Sequence, residues 1–120
     1  MRPEERDPAY LWDILEAAES ILDFTRGQTF QQFVEDAKTR LAVERELEII
    51  GEAARRISQS LREQHPEIPW KDLIGLRNVI SHEYDKIDYP QVYAIAQRRI
   101  PELIDRLKPL VPRPPETGNR

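Results

Sequence analysis

Apolar residues recur at spacings of three and four along most of this chain, which is the period of amphipathic helices. The clearest case lies within residues 36–62, where six apolar positions alternate between these spacings: Val43, Leu47, Ile50, Ala54, Ile57 and Leu61. Such a seam is typical of a helix packed nearly antiparallel to its neighbours. It predicts one long helix over these residues. Gly51 inside this helix predicts close approach of another helix, and a dimer contact is one explanation.

Start and stop signals predict two shorter helices before the long one. Asp7 and Pro8 indicate a helix start, with the Asp7 carboxylate as the cap and the proline in the first turn, where its missing N–H costs nothing. Gly27 is expected to end this helix. Thr29 then suits the cap position of a short second helix.

Prolines mark the elements of the second half. Pro69 is expected to open a helix that ends near Ser81, and Asp88 is expected to cap a last helix that Pro101 should kink or split. No stretch alternates in the manner of a strand. We therefore predict an all-α fold, an antiparallel bundle of four to five helices over residues 1–108, followed by a Pro-rich flexible tail over residues 109–120.

Composition limits the classes of protein that fit. A 120-residue chain with 39% hydrophobic residues suits one domain. The absence of cysteine excludes disulfides and thiolate metal sites and fits a cytoplasmic location. No apolar run approaches the length of a membrane span, and the charged start does not resemble a signal peptide. The net charge of −4 argues against coating of nucleic acid, but the acidic excess lies in residues 1–76, so any RNA contact is expected in the second half.

The stretch LRNVISHEY, from Leu76 to Tyr84, holds the candidate chemistry. Arg77, Asn78, His82 and Tyr84 form the pattern R-N-x-x-x-H-x-Y at the end of a predicted helix. An arginine matches phosphate oxygens with a planar fork of donors, and a histidine can move protons at neutral pH. Because RNA carries its own nucleophile, the 2′-hydroxyl, these groups would suffice for cleavage without a metal or other cofactor.

Two features of this pattern remain open from the residues alone. Arg77 and His82 lie about 140° apart on a regular helix, so we expect the helix to end before His82 can turn toward Arg77. A purely structural alternative has His82 capping carbonyls, Arg77 paired with a carboxylate and Tyr84 packed under the turn. The other histidine, His65, is expected to be a loop residue without a role.

Three segments together resemble the HepT-like ribonuclease toxins of the HEPN superfamily, which are encoded beside a minimal nucleotidyltransferase antitoxin, MntA. The segments are LEIIGEAARRIS at residues 47–58, HPEIPW at residues 65–70 and GLRNVISHEY at residues 75–84. The resemblance covers residues 8–108. It implies a homodimeric, metal-independent endoribonuclease of a type VII-like toxin–antitoxin system.

The resemblance also implies roles for the motif residues. Arg77 and His82 take the places of the family's catalytic pair, Asn78 is the supporting polar residue, and Tyr84 is the tyrosine that the partner enzyme adenylylates to silence the toxin. A dimer would supply a second His82, so that one histidine acts as base and the other as acid. The alternative is a non-catalytic helical module that binds a nucleotidyltransferase or a nucleotide phosphate through the same residues.

Overall fold

A computed structural model describes residues 2–82, 85 and 87–112, and for Pro3, Ser81 and His82 it describes the backbone. All regular structure in this part of the chain is helical. The elements are a 3-10 helix (Pro3–Arg6), α1 (Asp7–Thr25), α2 (Phe30–Glu35), α3 (Ala37–Arg56), α4 (Gln59–Gln64), α5 (Trp70–His82), α6 (Tyr89–Ala94), a π-helical segment (Ile95–Arg99) and α7 (Ile100–Leu107). Among these described helices, none combines the length and the apolar character that a membrane crossing requires.

Helix α3 is central because it packs against both α1 and α5, while α1 also packs against α7. The start of α1 contacts the chain just beyond the end of α3, so these two helices run antiparallel. The predicted seam of α3 is its buried face, since Val43, Leu47, Ile50 and Ala54 are each at most 2% exposed. These observations confirm the predicted all-α bundle.

The largest fully buried side chains come from all parts of the described chain, which shows that the helices share one core. They are Phe33, Ile14, Ile21, Ile50, Ile57, Ile68, Ile100, Leu107 and Val43.

The predicted long helix over residues 36–62 is wrong in one respect, because it is broken between α3 and α4. Ile57 and Ser58 are extended, and Ser58 caps α4 through its side chain. The cause is Asp7, whose buried carboxylate accepts hydrogen bonds from the Ser58 backbone N–H at 2.8 Å and from its hydroxyl at 2.5 Å. The prediction that the Asp7 carboxylate caps α1 is therefore wrong. Asp7 is the first residue of α1, and its side chain joins the start of this helix to the break.

The other local signals agree with the structure. Gly27 follows α1 with a φ of +75°, and Thr29 and Asp88 cap α2 and α6 through their side chains. Pro101 lies in the first turn of α7, directly after the π-helical segment. A proline removes a backbone donor and crowds the carbonyl four residues earlier, so the kink or split that we expected at Pro101 takes the form of this wider turn.

The predicted boundary at residue 108 stays a prediction. Leu110 and Val111 pack, partly buried, against the core cluster. Residues 113–120, which make up most of the predicted tail, lie outside the described residues.

Candidate active site

Arg77 lies on the face of α5 that packs against α3, directly against Gly51. A Cβ placed on Gly51 would lie 2.0 Å from the Arg77 Cβ and 2.8 Å from the backbone carbonyl oxygen of Leu73. Only glycine allows this approach. The predicted close contact at Gly51 is therefore confirmed, and it is made with α5 of the same chain, so the structure gives no reason to explain it by a dimer.

The guanidinium of Arg77 is held between two oxygen acceptors. Its Nη2 lies 3.5 Å from Oε1 of Glu52 on α3, and its Nη1 donates a hydrogen bond of 3.2 Å to Oδ1 of Asn78. The Arg77 side chain is 27% exposed. Its stem is thus packed between the helices while its charged end still reaches solvent, where an anionic ligand could meet it.

Glu52 is the centre of a cluster of arginines. Its carboxylate accepts from Arg55 at 2.7 and 3.3 Å and from Nε of Arg56 at 3.0 Å, in addition to the ion pair with Arg77. Hydrogen bonds from Arg55 and then Arg56 lower the pKa of Glu52 to about 2. The carboxylate is therefore ionised at neutral pH. Three arginines share this one carboxylate, so the cluster keeps a positive charge.

A surface cleft of about 290 Å³ opens beside this cluster, at the junction of α1, α3 and α5. Basic and aromatic side chains line it, and so do acidic ones: Tyr10, Arg45, Arg56 and Arg77 lie there with Asp13, Glu48 and Glu52. Burial, followed by the charge of Glu16, raises the pKa of Asp13. Arg77 is placed to meet one phosphate there, but the acidic side chains of the lining, Asp13 on α1 and Glu48 and Glu52 on α3, do not suit a long stretch of RNA backbone.

The four predicted site residues differ in how the structure describes them. It brings Arg77 and Asn78 together through their hydrogen bond. His82 is the last residue of α5, one position beyond the expected end at Ser81, so the backbone does not leave the helix before it. The His82 side chain and all of Tyr84 lie outside the described part of the chain, so their roles stay predictions.

His65 lies in the loop after α4, as predicted. Its ring Nδ1 is 3.1 Å from Oε2 of Glu67, and its backbone carbonyl accepts a hydrogen bond from the Trp70 indole. Within residues 2–82, 85 and 87–112, no group of three or more His, Asp or Glu side chains is arranged to hold a metal ion.

Glu52 is the site residue that the sequence reasoning missed. The sequence does contain a signal for two of its ion pairs, because Arg55 and Arg56 follow Glu52 at the three- and four-residue spacings of helical ion pairs. The contact with Arg77 has no such signal, since it joins two helices.

Sequence similarity to a known family covers the motif residues of this site. A family model described as "Ribonuclease HepT-like" matches residues 14–110, a range that contains α3, α5 and the motif. The chain belongs to the HepT-like ribonuclease family, within the HEPN superfamily. The family membership inferred from the three segments is thereby confirmed.

Several curated relatives support this assignment. A Methanocaldococcus jannaschii protein named provisionally as RNase MJ1380 is 42% identical over 79% of this chain and 87% of its own length. A second protein of that organism, named in the same way as RNase MJ1216, is 39% identical over 84% of both chains. A Thermococcus cleftensis protein, named provisionally as ribonuclease HepT, is 41% identical over 84% of this chain and 92% of its own. No solved structure gives a significant match.

Proposed function

We propose that this protein is a metal-independent endoribonuclease and the toxin of a type VII-like HepT/MntA toxin–antitoxin system. The observation that carries the proposal is the arginine of the R-x4-H-x-Y motif, held partly exposed at a positively charged cluster, in a chain of a ribonuclease family. The relatives named as ribonucleases support RNA as the substrate.

The reaction follows from the chemistry of the motif. His82 takes the proton of a 2′-hydroxyl, the 2′-oxygen bonds to phosphorus, and the bond from phosphorus to the 5′-oxygen breaks. Arg77 binds the non-bridging phosphate oxygens and stabilises the charge that develops on them. A proton reaches the leaving 5′-oxygen, so the products are a 2′,3′-cyclic phosphate and a 5′-hydroxyl. Asn78 orients the Arg77 guanidinium or binds a phosphate oxygen.

A homodimer completes the acid–base pair. One motif contains one histidine, whereas the reaction needs a base for the 2′-hydroxyl and an acid for the leaving group. Two motifs that face each other across a two-fold axis would supply both. We therefore propose that His82 of one copy acts as base and His82 of the other copy as acid.

Tyr84 is proposed as the site of regulation. A phenol two residues from His82 is within reach of an enzyme that docks on the same motif, and its oxygen can attack the α-phosphate of ATP with loss of pyrophosphate. An adenylyl group there would place an anionic phosphate beside Arg77 and exclude RNA by charge and volume. The partner is accordingly a nucleotidyltransferase antitoxin.

Expression of the His82→Ala variant tests the catalytic proposal. The wild-type chain should arrest growth and cleave cellular RNA, whereas the variant should lose cleavage by about 100-fold or more, the typical contribution of acid–base catalysis. His65→Ala is the matched control, because it removes the other histidine while the backbone carbonyl that holds Trp70 remains. Harmless expression of the wild-type chain would favour the non-catalytic binding module instead.

A further inference from the structure

Arg77 is positioned by the neighbouring helix as well as by its own. We infer that Glu52 is a positioning residue for Arg77: it holds the guanidinium at the cleft in the orientation that a phosphate requires. This inference rests on the proposed function, in which Arg77 binds the scissile phosphate. It adds a residue of α3 to the proposed catalytic residues Arg77, Asn78 and His82, which belong to α5.

The stem of Arg77 is fixed first. Its Cβ and Cγ lie so close to α3 that a Cβ on Gly51 would be 2.0 and 2.8 Å from them. The side chain therefore leaves α5 directly over α3. Glu52 follows Gly51 in sequence, so the carboxylate stands where the end of this arginine arrives.

The end of Arg77 is then fixed from two sides. Glu52 engages Nη2 and Asn78 engages Nη1, and because a guanidinium is planar, two acceptors on its two terminal nitrogens determine its orientation. The contact with Glu52, at 3.5 Å, is longer than the 2.7 Å contact of Glu52 with Arg55. A phosphate can thus approach Arg77 without first displacing a tight bidentate partner.

Glu52 is suited to this role because it is itself immobilised. Arg55 binds both carboxylate oxygens and Arg56 binds one of them, so the carboxylate cannot turn away from Arg77 without breaking several hydrogen bonds. These two arginines also offset its charge. Glu52 therefore orients Arg77 without cancelling the attraction between Arg77 and a phosphate.

The test is a double-mutant cycle on RNA cleavage with Glu52→Gln and Arg77→Lys, in the full chain. Glu52→Gln keeps the shape of the side chain and removes its charge, and kcat should fall about 10- to 100-fold because a misplaced catalytic group can cost that much. KM should change by less than about threefold, since Arg77 acts most strongly on the charge that develops in the transition state. In the Arg77→Lys background, which lacks the fork, Glu52→Gln should add less than about twofold.

Glu44→Gln is the matched control, because it removes one negative charge from α3 away from Arg77. It should cleave like the wild type.

Unchanged kcat in folded Glu52→Gln, or full additivity with Arg77→Lys, overturns the inference. If Glu52→Gln does not fold, Glu52→Asp replaces it: the shortened carboxylate should lower kcat in the same direction, and unchanged kcat again overturns the inference. Full activity of Arg77→Ala would instead overturn the proposed function itself.

Discussion

Gly51→Ala is the substitution whose effect the structure specifies most sharply. An alanine in a helix interior is normally favourable over glycine by about 1 kcal/mol. At Gly51, however, the added Cβ would lie 2.0 Å from the Arg77 Cβ and 2.8 Å from the Leu73 carbonyl oxygen. The second of these is backbone, so the clash cannot be relieved by rotating a side chain. Helix α5 must withdraw from α3.

The magnitude follows from the distance. Carbon atoms in contact lie about 3.5–4.0 Å apart, so α5 must move by about 1.5 Å. Overpacking typically costs about 1–3 kcal/mol, and a shift of a whole helix belongs at the upper end of that range. After the gain in helix propensity, we expect a net loss of about 2 kcal/mol, or about 5–10 °C in Tm for a domain of this size. Because Arg77 moves with α5, RNA cleavage should also fall by tenfold or more.

Urea unfolding at a fixed protein concentration, followed by circular dichroism, measures this loss. The control is Gly75→Ala on α5, where an added Cβ meets nothing within 4 Å. That variant should gain up to about 1 kcal/mol and keep its activity. If Gly51→Ala is as stable as Gly75→Ala, the close packing of α5 on α3 is wrong.

Three further predictions concern other residues. Asp7→Ala should destabilise the fold by about 2 kcal/mol in thermal unfolding, because it leaves the buried Ser58 N–H without its acceptor; an unchanged Tm would refute the link between α1 and the α3–α4 break. Because the pKa of Glu52 is lowered to about 2, the contribution of its charge to stability is complete above pH 4.5 and is lost as the pH falls toward about 2. The urea unfolding curves of the wild type and Glu52→Gln should therefore converge in acid. A difference in stability that stays constant with pH would contradict this. With a cognate nucleotidyltransferase and ATP, intact-mass measurement should detect AMP on the wild-type chain and none on Tyr84→Phe; equal modification of both excludes Tyr84.

The helical bundle was predictable because its signals are local. The seam from Val43 to Ala54 reports the buried face of α3 directly, and the caps Thr29 and Asp88 satisfy the N–H groups of their own helices. The break at Ser58 was not predictable in this way. Ile57 continues the apolar pattern through the break and is buried, while the cause is a carboxylate 51 residues earlier in the chain.

The candidate site likewise has features that follow from signals within one helix and features that depend on how the helices pack. The motif placed Arg77 and Asn78 on one helix, as the structure shows, but the hydrogen bond between their side chains did not follow from it, because adjacent residues on a helix do not face each other. The close approach at Gly51 was predicted as well, because a glycine inside a helix has little other reason to be there. Which helix approaches, and that Glu52 meets Arg77 as a result, depends on how α3 and α5 pack. Spacing within one helix carries no information about that contact.

Arg77 and His82 are proposed to cleave RNA without a metal. The most direct measurement is the end-group analysis of a defined RNA after incubation with the purified protein in EDTA. We expect fragments that end in 2′,3′-cyclic phosphate and begin with 5′-hydroxyl, produced by the wild type and not by His82→Ala. Cleavage that appears only after Mg²⁺ is added, or equal cleavage by the His82→Ala variant, would contradict it.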